Sequence, residues 1–119
     1  MLARLTAREI EMSEKEMTEA LSAMLGGMVG VRVKVHGSRS NYTVGEKEKI
    51  FAFTRKEGVA LKLPQARVKE LEETRGAAAL VMGKKTMKEW AVVPYADAKA
   101  LKKDLKLVKE AMAFTEAKG

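Results

Sequence analysis

Apolar positions along the chain change period several times, and each change marks an element. Ser13-x-x-Glu16 reads as a capping box, and behind it Met17, Leu21, Met24 and Leu25 fall at i, i+4, i+7 and i+8, one face of a helix. Gly26-Gly27 predicts its end through a left-handed cap. From Val29 to His36 the period becomes two: Val29, Val31, Val33 and Val35 face one way, Arg32, Lys34 and His36 the other. Residues 37–48 (GSRSNYTVGEKE) are polar and carry glycine, which predicts a loop longer than a hairpin turn.

The stretch from Lys49 to Pro94 is the part around which the rest is arranged. Ile50–Phe53 and Val59–Leu63, about the turn Arg55-Lys56-Glu57-Gly58, predict a β-hairpin with Phe51 and Phe53 in the core. Pro64 stops the second strand and opens a helix, with Val68 and Leu71 as its apolar edge and Gly76 at its end. Ala77–Met82 and Met87–Val93 predict two more strands about a type I′-like turn at Gly83-Lys84-Lys85. A last helix is expected from Asp97, a suitable N-cap, to about Ala117, with Leu101, Leu105, Val108 and Met112 along one stripe. Residues 1–12 are ambiguous: an extension of the first helix, a separate turn, or a flexible or swapped arm. The order is α-β(3)-α-β(2)-α. It predicts one α+β domain over residues 1–119, a two-layer sandwich with a mostly antiparallel five-stranded sheet and helices on one face.

Composition narrows the classes. A chain of 119 residues suits one core. It has no cysteine, which excludes disulfides, thiolate metal sites and thiol nucleophiles. No apolar run approaches the ~20 residues of a membrane span, and the N-terminus lacks a signal peptide's apolar region, so the cytoplasm is the expected location. The net charge of +7 favours phosphate-rich partners in general without specifying one.

Chemistry is sparse. His36 is the single histidine, with no carboxylate at ligand spacing and no nucleophile pattern around it. The carboxylates Glu14/Glu16, Glu46/Glu48 and Glu70/Glu72/Glu73 are mixed with lysine and arginine, as on solvated surfaces. Gly83-Lys84-Lys85-Thr86 lacks the first glycine of a phosphate loop and joins two strands, leaving at most a minor phosphate contact through its lysines. Trp90 either anchors an interface or packs against the C-terminal helix, and packing is the expectation. Met17, Met24 and Met112 fit core stripes. No metal or cofactor is expected.

Three stretches carry a resemblance: Lys49-Ile50-Phe51-Ala52, Leu61-Lys62-Leu63-Pro64, and Gly83-Lys84-Lys85-Thr86-Met87-Lys88-Glu89-Trp90-Ala91-Val92-Val93-Pro94. They resemble the TfoX N-terminal domain family and its YjbR/MmcQ-like relatives. The resemblance implies the α-β(3)-α-β(2)-α order and a regulatory role, with no catalytic residues to carry over. The segment Val31–Gly37 departs from the family's K-M-F-G motif.

The expectation is a non-enzymatic protein-interaction or regulatory domain, partnered by a second copy or another protein. Its candidate surface is Arg32, Lys34, His36, Arg39, Tyr42, Lys47 and Trp90. The alternative is a nucleic-acid-binding accessory protein whose basic surface is Arg32, Lys34, Arg39, Lys47, Arg55 and Lys56. A small-molecule enzyme would need a closed polar pocket holding His36 and Tyr42.

Overall fold

The computed structural model describes residues 13–118, so the suggested arm at 1–12 lies outside the described residues. Helix α1 (Glu14–Leu25) starts on both arms of the capping box: the Glu16 N–H donates to Ser13 Oγ at 3.1 Å and the Ser13 N–H to Glu16 Oε1 at 3.0 Å. Its end differs from expectation. Gly26 caps it in right-handed conformation (φ −60°), and positive φ is reached only at Gly30.

Among the described residues the sheet has six strands, where five were expected: β1 (Val31–His36), β2 (Arg39–Val44), β3 (Lys49–Arg55), β4 (Gly58–Lys62), β5 (Ala78–Met82) and β6 (Lys85–Val93). Their order is β1-β2-β3-β4-β6-β5, and every pairing is antiparallel. The additional strand is β2, inside the stretch expected to be a loop. Its inward positions are Ser40, Tyr42 and Val44, so its alternation is real but two of the three inward side chains carry hydroxyls. Strand β1 begins at Val31, and Val29 stands 97% exposed in the preceding turn.

Helix α2 (Gln65–Thr74) follows Pro64. The C-terminal helix is two helices, α3 (Ala98–Lys103) and α4 (Leu105–Lys118), broken at Asp104. That carboxylate takes a bidentate pair from Arg75 (3.3 and 2.6 Å) and a 2.6 Å hydrogen bond from the Tyr95 hydroxyl. The break therefore ties the ends of α2 and β6 to the C-terminal helices. Residues of all four described helices join one face of the sheet in a single core that includes Leu21, Phe51, Leu61, Leu71, Leu101 and Val108.

Two bulges shape the opposite, outer face. In β3, Tyr42 faces Ala52 while Thr43 faces Ile50, so Phe51 is an extra residue. Phe51 and Ala52 both enter the helix-side core, and Phe53, expected beside Phe51, lies on the outer face. In β6, Ala91 faces Ala79 but Met87 faces Leu80, leaving Lys88, Glu89 and Trp90 without partners on β5. The strand turns a corner there. Beyond it Leu80 and Met87 pack with Ala60, Val92, Phe53 and Trp90, and Arg55 Nη1 donates to Met82 Sδ at 3.7 Å. Arg55 stands at the end of the sheet away from Lys62 and the corner, so the β5–β6 hairpin folds back over the outer face. At its tip Gly83 alone takes positive φ (64°), which rules out the expected type I′ turn, since that needs two such residues.

Candidate docking cleft

Where β6 bends, a cleft of about 440 Å³ opens, lined by Lys62, Gln65, Lys85, Thr86, Met87, Lys88, Glu89 and Trp90. Its position follows from local sequence. Pro64 ends β4 just past Lys62 and starts α2, so β6 loses its β4 neighbour after Trp90, apart from one bond from the Leu63 N–H to the Glu89 carbonyl at 2.9 Å. Trp90 sits opposite Lys62, half-buried, against Phe53 at a centroid distance of 5.2 Å and a tilt of 52°. The expectation that Trp90 packs on the C-terminal helix is corrected: it belongs to the outer-face cluster with Phe53, Ala60 and Val92.

Charge around the cleft is uneven. Glu89 is held by Lys118 at 2.9 Å. Lys62, Lys85 and Lys88 have no ion-pair partner among the described residues. The broader basic surface expected from the sequence is largely matched within the chain. Arg32 and Lys34 share Glu48 (3.5 and 3.8 Å), Arg39 meets Glu14 (2.7 Å) and Arg55 meets Glu57 (3.1 Å). Arg32, Lys34 and His36 do project from β1, exposed as expected, and His36 pairs across the strands with Arg39. Lys47 lies elsewhere, in the β2–β3 turn, beside a depression of about 260 Å³ shared with Lys49, Thr115 and Glu116. Lys56 is exposed in the β3–β4 turn.

Tyr42 is not a surface residue. It is fully buried, its hydroxyl 2.6 Å from Ser40 Oγ, 2.9 Å from Ser22 Oγ and 3.2 Å from the Thr18 carbonyl that accepts from it. Thr18, Ser40 and Thr54 complete this hydroxyl cluster between α1 and the β2–β3 pair. Tyr42 is enclosed between α1 and the β2–β3 pair, whereas His36 is exposed at the end of the edge strand β1. Among the described residues there is no group of three or more His, Cys, Asp or Glu arranged to hold a metal.

Burial raises the Tyr42 phenol above its ordinary value of 10.0, against smaller opposing effects of Ser22 and Ser40. Tyr95 is raised further, by burial first and by Asp104 second. Above pH about 10 the unfolded chain releases protons that the folded chain keeps, so stability should be full below that pH and fall as it rises. These are the chain's two tyrosines, so tyrosinate absorbance reports on them alone. Tyrosinate should form only together with the loss of far-ultraviolet circular dichroism. Tyrosinate appearing near pH 10 with the dichroism intact would show that the rings are accessible.

Lys62, Gln65, Lys85 and Lys88 were not among the residues expected to form a site. The sequence places them on three elements, and only the Gly83-Lys84-Lys85-Thr86 turn hinted at an anion contact. No family model matches the chain, and no curated protein or solved structure matches it.

Proposed function

We propose that this chain is a non-enzymatic protein-interaction domain that docks an acidic region of another protein at the β6 cleft. The observation that carries this reading is the concentration of unmatched cations, Lys62, Lys85 and Lys88, around the half-exposed Trp90. Tryptophan is enriched among binding hot spots, and lysines around it without an ion-pair partner among the described residues supply charge complementarity at the rim. The resemblance of residues 49–94 to the TfoX N-terminal and YjbR/MmcQ-like families supports a regulatory setting.

A second copy fits this cleft less well. A two-fold contact sets the same patch against itself, which would bring lysine against lysine. Single-stranded nucleic acid fits less well too. Four of the six basic side chains that would track a backbone lie beside carboxylates, Arg32 and Lys34 sharing one, so three of the six charges are offset, which reduces the counterion release on which such binding depends. Trp90 and Phe53 also pack against each other in place of presenting two open ring faces.

The test is a photo-cross-linking amino acid at Gln65, in the cleft, and at Lys109, exposed on α4, in the producing cells. The cleft position should yield one discrete protein adduct whose cross-linked peptide is acidic, and Lys85→Glu/Lys88→Glu should remove it. An adduct of twice the chain mass, a nucleic-acid adduct, or equal labelling from both positions overturns the proposal.

A further inference from the structure

Resting on that reading of the cleft, we infer that the acidic partner segment binds as an added β-strand along the free edge of β6 at Lys85–Lys88. The argument begins with the hairpin. Met82 and Lys85 flank a two-residue turn, so they exchange main-chain hydrogen bonds, and the next such pair is Leu80 with Met87. Thr86, between them, faces Val81 as a non-hydrogen-bonded pair. Its N–H and C=O therefore point away from β5, toward the side on which β6 has no strand neighbour.

That side is the cleft. Strand β4 pairs with β6 only from Val93 to Trp90, and no described residue makes a main-chain hydrogen bond to the open side of residues 85–88. Thr86 and its neighbours line the opening together with Lys62 and Gln65. An open strand edge with its donors and acceptors unmatched is a template for another chain, and natural proteins usually block such edges. Here the edge is short, bent out of the sheet and bordered by lysines. Those features discourage pairing with a second, equally basic copy while leaving the edge open to a chain of opposite charge.

The chemistry of the occupant follows. Its main chain would bond Thr86, over a span of about four residues or roughly 13 Å. Side chains of an added strand alternate between its two faces, as those of β6 do, with Lys85 and Met87 on one face and Thr86 and Lys88 on the other, so one set can meet Lys88 while the other lies against Met87. The recognised segment is thus extended, with acidic residues at every second position and aliphatic residues between them.

Trp90 is the chain's single tryptophan, so its fluorescence reads this site directly. The full chain is titrated with a blocked hexapeptide of alternating Glu and Val, and with the same peptide N-methylated on the amides that would face Thr86. The unmodified peptide should give a saturable change in Trp90 emission that weakens as salt rises. The N-methylated peptide should bind at least roughly tenfold more weakly, because it loses main-chain hydrogen bonds while keeping its charge and side chains. A Lys–Val peptide should not bind. Equal binding of the two acidic peptides overturns strand addition and leaves the acidic docking reading standing. No binding of either acidic peptide, with the Gln65 cross-link to an acidic partner still present, overturns this inference alone. Saturation of the same signal by inorganic phosphate or oligo(dT) at similar concentration overturns both.

Discussion

Gly58→Ala should remove a large part of the stability of the fold. A Cβ at this position would lie 2.2 Å from the Val93 carbonyl oxygen, 2.7 Å from its carbon and 3.1 Å from Pro94 Cα. All three are main-chain atoms, so no side chain can swing aside. Gly58 opens β4, the strand joining the meander to β6, and its own φ of 155° is one that residues with a side chain rarely adopt. Overpacking costs typically 1–3 kcal/mol and strained backbone of order 1–3 kcal/mol each, so the loss should be about 3–5 kcal/mol. Against a total of roughly 5–15 kcal/mol, that brings the chain close to unfolding at ambient temperature. Urea unfolding followed by circular dichroism should show the midpoint lowered by roughly 1–3 M. A midpoint matching that of the unaltered protein would mean that β4 and β6 are not in this contact.

Two phenylalanines two positions apart should behave very differently. Phe51 is fully buried in the helix-side core, whereas Phe53 is half-buried on the outer face against Trp90. Phe51→Ala leaves a cavity among residues of the sheet and helices and should cost about 3–5 kcal/mol. Phe53→Ala loses one tilted aromatic contact and part of its burial, roughly 1–2 kcal/mol. The same urea experiment checks both, and Trp90 emission should shift in Phe53→Ala because its neighbouring ring is gone. Equal losses, or a larger one at Phe53, would place both rings on one face and remove the β3 bulge.

That pair also shows where the sequence stopped being informative. Period two assigns Phe51 and Phe53 to one face. One extra residue opposite Tyr42 and Thr43 separates them, and a bulge leaves no mark in an apolar run. Strand β2 was hidden for a different reason: Ser40 and Tyr42 look solvent-facing until their hydroxyls are seen bonded to one another and to Thr18 and Thr54 in the interior. The capping box at Ser13, the alternation along β1 and the Pro64 boundary were legible because each depends on residues close in sequence. The cleft was not, because Lys62, Gln65 and Lys85–Trp90 come together only through the pairing of β4 with β6 and the corner in β6.

That pairing has a consequence for how the chain assembles. β1–β2, β2–β3, β3–β4 and β5–β6 each join strands adjacent in sequence, and such local hairpins close quickly. β4–β6 alone must wait for α2 and β5 to be traversed. Two preassembled halves, a four-stranded meander and a separate hairpin, then meet along one seam. The β6 cleft lies at that seam, with Lys62 on one side and Lys85–Trp90 on the other. A chain opened along β4–β6 would have both halves and no cleft, so the proposed docking would require completed folding.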